Sequence, residues 1–317
     1  MRYYLATMEG ITGFLFRKVQ SEVFAPADKY FSPFIAPNRN RCMNTREMRD
    51  VLPEHNEGLW LIPQILTNRA EDFLRTVKEL EQMGYSEVNL NLGCPSGTVV
   101  SKKRGAGFLS EIKSLDNFFQ EVFSETNLDI SVKTRLGLED PEEFYPILEI
   151  YNRYPIKELI IHPRVQKDFY KNSPHMEVFR EAAKRSIPPV CYNGDMFTVE
   201  ALEAFQSEYP DIETVMLGRG MLVNPGFLNR LRGEEVTKEQ LKHFHDELLL
   251  AYQQELSGDT NLLFKMKELW FYMIRLCADS GKIAKKIKKS QKLSEYQSLV
   301  ERLFAEHELV FAEKLYF

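Results

Sequence analysis

The sequence predicts an α/β protein, a (β/α)8 TIM barrel followed by a small C-terminal all-helical domain. Three observations predict it. Short β-prone runs recur with helix-patterned stretches between them, the pattern of βα units around a parallel sheet. Eight such runs precede residue 220, and eight is the number that closes a (β/α)8 barrel. After about residue 233 the strand-like runs cease and helical patterning takes over, so the chain divides into residues 1–234 and 235–317.

The candidate strands are, in order, YYLAT (3–7), KYFSPF (29–34), WLIPQIL (60–66), EVNLNL (87–92), DISVKTR (129–135), ELIIH (158–162), PPVCYN (188–193) and TVMLG (214–218). Between them, residues 68–84 read as a helix from an N-cap at Asn68, with Phe73, Val77 and Leu80 at helical spacing and a stop at Gly84. Residues 140–154 open with Asp140 as N-cap and proline at the first helical position. Residues 198–210 start at Thr198 and end at a proline. The Asn-, Arg- and Pro-rich stretch 35–58 reads as a loop lipping the barrel mouth. Beyond residue 237, TKEQLKHFHDELLLAYQQEL and the long segment from NLLFKMKELW are helix-patterned throughout.

At 317 residues, 44% hydrophobic and 27% charged, the chain can bury a large core, and global disorder is excluded. There is no apolar run of about 18 residues and no signal-like N-terminus, so a cytoplasmic protein without a membrane segment is expected. The four cysteines, Cys42, Cys94, Cys191 and Cys277, are far apart and read as free thiols. No metal site is expected. A net charge of −5 argues against a wholly polyanion-binding surface, yet KIAKKIKKSQK (282–292) carries six lysines and no acid. A solvated helix face and a phosphate-gripping stripe are both open for it.

Active sites of such barrels sit at the C-terminal ends of the strands, and those ends are polar here. They offer Thr7 and Met8, Gln64, Asn91 and Cys94, Lys133 and Arg135, His162 and Arg164, Asn193 and Asp195, then Gly218, Arg219 and Gly220. Asn89 and Asn91 share one face of their strand, opposite Val88, Leu90 and Leu92. Lys133 and Arg135 also fall on one face, and two cations aimed together into a barrel mouth need an anion. That anion is either a set of neighbouring carboxylates or a phosphate-bearing, electron-rich cofactor. NGD (193–195) and GRG (218–220) follow strands seven and eight, the usual phosphate site of this fold. His162 ends its strand on the same rim, either as a satisfied core histidine or, the reading its place beside Lys133 favours, as a ligand-facing residue.

In this order and at these intervals, NLNLGCPSG, VKTRLG, IIHPRVQKDFYKNSP, YNGD and MLGRGML resemble the tRNA-dihydrouridine synthase family over essentially the whole chain. The resemblance implies an FMN-dependent oxidoreductase that reduces specific uridines in tRNA, with NADPH or NADH as reductant. It places Thr7, Met8 and Glu9 along the flavin, Gln64 and Lys133 at its ring, and His162 in contact with it. Asn193, Gly194, Asp195, Gly218 and Arg219 would surround its ribityl chain and phosphate. Asn91 would face the uracil and Cys94 would be the general acid. Arg135, Arg164, Gln166 and Tyr170 would contact the tRNA or its target base. Lys285, Lys286, Lys288 and Lys289, aided by Lys102, Lys103 and Arg104, would grip phosphates. Thr7 and Glu9 stand where the family more often has proline and a small residue. No obligate protein partner is evident. Two other readings stay open: an FMN barrel acting on a free pyrimidine or other small molecule, and a non-catalytic RNA-binding protein on a retired barrel.

Overall fold

The computed structural model describes residues 1–311. Eight parallel strands close into one barrel in sequence order: β1 (Arg2–Leu5), β2 (Lys29–Ile35), β3 (Leu61–Ile65), β4 (Glu87–Leu92), β5 (Asp129–Thr134), β6 (Leu159–Ile161), β7 (Val190–Tyr192) and β8 (Thr214–Leu217). All eight overlap the stretches the sequence marks: six lie within them, while β1 begins one residue earlier, at Arg2, and β2 ends one residue later, at Ile35. The polar residues at their ends leave the ladder to form the rim, as at His162 and Asn193.

Alternation along the strands sorts side chains onto two faces. Val88, Leu90 and Leu92 of β4 turn outward into the layer between barrel and helices, together with Val132 of β5 and Leu159 and Ile161 of β6. Inside the barrel, one sector is apolar, built by Tyr4, Phe31, Ile62, Ile160, Cys191 and Met216. The sector on β3, β4 and β5 is polar, and its groups satisfy one another. Asn91 donates to Gln64 at 2.7 Å, Gln64 to Asn89 at 2.8 Å, and Asn89 to Ser131 at 3.0 Å. At the opposite end of the barrel Lys29 pairs with Glu87 at 2.6 Å, both buried.

The helices differ from expectation at their starts. The first expected helix spans Ala70–Gln82, and its N-cap is Arg69, without a side-chain cap bond, rather than Asn68. Asn68 instead reaches across to the carbonyl of Lys102 at 3.2 Å. Asp140 does cap, through a capping box with Glu143, but the first turn is a tight three-residue helix and the regular helix runs Phe144–Tyr151. Thr198 caps Val199–Glu208 as expected. The stretch 35–58 is less irregular than its composition suggests. Asn44 and Glu47 form a capping box that starts the helix Thr45–Val51.

After β8 come short helices Arg219–Val223 and Phe227–Leu231, then Lys238–Glu255, Asp259–Met273, Gly281–Lys289 and Leu293–Glu306. Phe244 of Lys238–Glu255 packs against Phe16 and Phe24 of the barrel, with ring centroids 5.7 and 5.9 Å apart. Tyr296 is the polar pin of this helical layer. Its hydroxyl accepts from the Trp270 indole at 2.8 Å and lies 2.7 Å from the ring of buried His245. Lys265 reaches the carbonyl of Gly10, so the helical layer also holds the loop after β1. Among the described residues, no helix is long and apolar enough to cross a membrane.

Candidate active site

The strand ends converge as barrel geometry requires. Thr7 and Met8 after β1, Lys133 on β5, His162 after β6, Asn193, Gly194 and Asp195 after β7, and Gly218, Arg219 and Gly220 after β8 line one cleft, with Tyr170 and Phe197 at its edge. Cys94 stands beside it on the loop after β4, close enough to feel the charge of Lys133.

Lys133 has no carboxylate within 4 Å and no hydrogen-bond acceptor among the described residues, although burial and nearby Arg135 lower its pKa to about 8. A salt-bridged lysine is therefore excluded, and the charge points into the cleft unmatched. The Thr7 hydroxyl is also buried without a partner. Two unsatisfied polar groups in one cleft mark a place for a polar ligand, since burying them alone is costly.

Arg135 behaves differently from Lys133, against the expectation that both aim into the mouth. It lies one residue past the end of β5, where pleat alternation no longer fixes direction. Its guanidinium donates to the carbonyls of Gly93, Val165 and Phe169 at 3.0, 2.9 and 2.9 Å, and it is buried. Gln166 adds a bond to the Pro95 carbonyl at 2.9 Å. Both side chains thus fasten the Cys94 loop to the loop after β6.

Arg164 is likewise internal. It grips Asp195 through both carboxylate oxygens, at 3.0 and 2.5 Å, and donates to His162 Nε2 at 3.0 Å. Because a guanidinium only donates, Nε2 must accept, so the His162 proton resides on Nδ1. Burial and four surrounding cations hold the His162 pKa well below its usual value, so the ring is neutral. Arg219 donates to Asp195 Oδ1, which it shares with Arg164, and lies 4.7 Å over the ring of Tyr170. Asn193 spends its amide on the Met216 carbonyl, bracing β7 against β8. Gly194 has no alternative, because a Cβ there would stand 1.9 Å from the Tyr192 hydroxyl.

The Cys94 loop is built from β4. Asn91 Oδ1 accepts from the N–H groups of Gly93 and Cys94 at 3.0 and 2.9 Å. Gly105, at φ +54°, packs so closely that a Cβ would meet the Cys94 carbonyl at 2.9 Å. Burial pushes the Cys94 thiol above the usual thiol range; the Ser96 N–H opposes this, Glu9 adds to it, and Arg135 and Lys133 oppose it. The thiol is protonated at neutral pH.

Several expected contacts are not at the cleft. Gln64 is wholly buried in the amide chain, Asn91 is committed to the Cys94 loop, and Glu9 lies outside the lining, 3.5 Å from Arg46. Lys285, Lys286, Lys288 and Lys289 are exposed on Gly281–Lys289, whose Ile283 and Ile287 face inward. Lys103 pairs with Glu111 at 2.9 Å, and Arg104 bonds the Pro37 carbonyl. Sequence reasoning did not single out Ser131 or Phe197. Ser131 is two residues before Lys133 on one strand, so the period of two was a usable signal; Phe197 enters through loop geometry alone.

The sequence model of the family described as dihydrouridine synthase matches residues 4–307, nearly the whole chain. The chain belongs to the dihydrouridine synthase family. Curated relatives agree with the assignment. The chain is 27% identical over 314 residues to a probable tRNA-dihydrouridine synthase of Staphylococcus aureus (strain COL), covering 96% of this chain and 93% of that one. It is 26% identical over 262 residues to probable tRNA-dihydrouridine synthase 2 of Bacillus subtilis (strain 168), covering 80% and 79%. Among solved structures, the old yellow enzyme homologue from Zymomonas mobilis superposes with a TM-score of 0.52 at 12% identity, over 74% of this chain and 90% of that one. That likeness shows the shared barrel. In this dihydrouridine synthase, then, the paired arginines on Asp195, the neutral His162 and the protonated Cys94 are gathered at one rim.

Proposed function

We propose that the protein reduces specific uridines in tRNA to 5,6-dihydrouridine, using FMN held at the strand ends and NADPH or NADH as the source of electrons. The observation that carries this is the unmatched ammonium of Lys133 facing a cleft whose neighbouring loop presents a protonated cysteine. The donor set fits a flavin. Lys133, the unpartnered Thr7 hydroxyl and the Nδ1–H of His162 suit polar ring atoms, while the backbone at Gly194 and Gly218, with Arg219 beside it, suits a phosphate.

Bound FMN would supply a hydride to C6 of the uracil ring. Cys94 donates the proton at C5 from the opposite side, and its raised pKa lets the resulting thiolate recover a proton from water before the next turnover. Lys133 stabilises negative charge in the cleft. Arg164 holds His162 in one tautomer and fixes Asp195. Asn91, Arg135 and Gln166 position the cysteine loop rather than touch the base. A uridine inside folded tRNA must leave its stack to reach this depth, and Lys285, Lys286, Lys288 and Lys289 would hold the surrounding phosphates. In this reading residues 1–234 form the catalytic domain and residues 235–317 the tRNA-binding domain.

Nucleoside analysis of tRNA from cells with and without the gene, position by position, tests the proposal. Loss of dihydrouridine at one or more positions, restored by the intact gene and not by a Cys94→Ala copy, is the expected result. Efficient reduction of free uracil by the purified protein, with tRNA untouched, would establish the small-molecule reading instead.

A further inference from the structure

The helix Asp259–Met273 buries Leu262, Leu263, Met266, Leu269 and Met273 in the helical layer. On its other side Phe264 and Phe271 remain 61% and 59% exposed. Seven residues apart, they share one helix face, about 10.5 Å from each other along the axis. Both line a groove of about 750 Å³ together with Arg275 and with Lys285 and Lys288 of the adjacent helix, and the groove runs down to Ile11. Ile11 is three residues beyond Met8 of the cleft, so the groove opens beside the catalytic mouth.

The charge around these aromatic rings is almost all of one sign. Lys285 and Lys288 have no carboxylate within 4 Å among the described residues, and the Arg275 guanidinium lies 4.9 Å over the Phe271 ring. The groove's acid, Glu268, faces Lys265 at 3.5 Å. An exposed aromatic pair rimmed by cations complements a ligand that has both π-faces and a regular negative backbone. Unpaired nucleotides fit that description, because bases stack on aromatic rings whatever their identity while their phosphates take the lysines.

We infer that this groove is a stacking platform for unpaired bases of the bound RNA, with Phe264 and Phe271 as the platform and Lys285 and Lys288 as phosphate contacts. The inference rests on the reading of the protein as one that acts on tRNA, and extends it by naming the surface that holds nucleotides outside the cleft. Stacking and phosphate contacts separate by salt. Losing a stacked base lowers affinity at every salt concentration, whereas losing a phosphate contact flattens the dependence on salt.

The test uses the full-length protein, an unmodified tRNA transcript and a salt titration. Phe264→Ala/Phe271→Ala is expected to weaken tRNA binding about ten-fold or more with an unchanged salt slope, raising KM for tRNA and leaving kcat in place. Phe271→Trp, which keeps a π-face, is expected to bind as tightly as the wild type. Lys285→Ala/Lys288→Ala is expected to flatten the slope. Unchanged tRNA affinity in the double alanine variant overturns the platform, including the outcome in which that variant alters only self-association. A wild-type protein that reduces no tRNA uridine defeats the functional reading itself; a wild type that reduces tRNA beside a double variant of normal KM defeats only the platform.

Discussion

The Asn91 carboxamide holds the Cys94 loop in place: its oxygen accepts the Cys94 N–H at 2.9 Å and the Gly93 N–H at 3.0 Å, while its nitrogen donates to Gln64 at 2.7 Å. One side chain therefore ties the proposed acid to the polar wall of the barrel. Asn91→Ala leaves two N–H groups and the Gln64 oxygen without these partners, a loss of about 1–3 kcal/mol. Thermal unfolding should register it, and tRNA reduction should fall further than FMN occupancy does.

Cys94→Ala should retain bound flavin, read from its visible absorbance, and its reoxidation by tRNA should slow by about 10²- to 10⁴-fold, the usual contribution of a positioned proton donor. Full activity in this variant would remove Cys94 from the mechanism.

The pH dependence follows from the direction of the Cys94 shift. An acid must be protonated to act, and burial raises this thiol above its usual range, so reduction of saturating tRNA should be level through neutral pH. It should decline only above the ordinary thiol value of about 8.5. Single-turnover oxidation of the reduced enzyme by tRNA, measured from pH 6.5 upward, checks this; a decline beginning near neutrality would contradict it.

Lys133 sets function against stability. Its folded pKa is depressed to about 8, so between that value and the unfolded value of about 10.4 the unfolded chain binds more protons and stability rises with pH. Below that window the buried charge is a standing penalty. Lys133→Met should therefore raise the stability of the flavin-free protein at neutral pH by about 1–3 kcal/mol. The same variant should weaken FMN retention and slow tRNA reduction. Denaturant unfolding and flavin titration measure the two effects separately.

Gly105 occupies a left-handed conformation at φ +54° against Cys94 and Val99. Gly105→Ala adds backbone strain and a clash with the Cys94 carbonyl, together costing about 1–3 kcal/mol. It should slow tRNA reduction while leaving the distant Lys29–Glu87 end of the barrel, followed by hydrogen exchange, unchanged.

Much of the molecule was legible in the sequence, and for a definite reason. Strand alternation and helix periodicity are local, so EVNLNL already separated Asn89 and Asn91 from Val88, Leu90 and Leu92, and the recurrence of βα units implied a closed barrel whose strand ends carry the chemistry. Thr198 and Asp140 announced helix starts because a cap is read from its own neighbours. What each rim side chain does was not local. Arg135 and Lys133 look alike in SVKTR, yet one ends on three carbonyl oxygens and the other in the cleft, because the choice depends on loops 30 or more residues away. Arg164, Asp195 and Arg219 become one ion cluster only when the ends of β6, β7 and β8 meet. The sequence by itself determined the barrel, the family resemblance and the set of residues at the rim. Tertiary structure decided which of them are braces and which face a ligand, since a buried polar group takes whatever partner the closing barrel brings within hydrogen-bond reach.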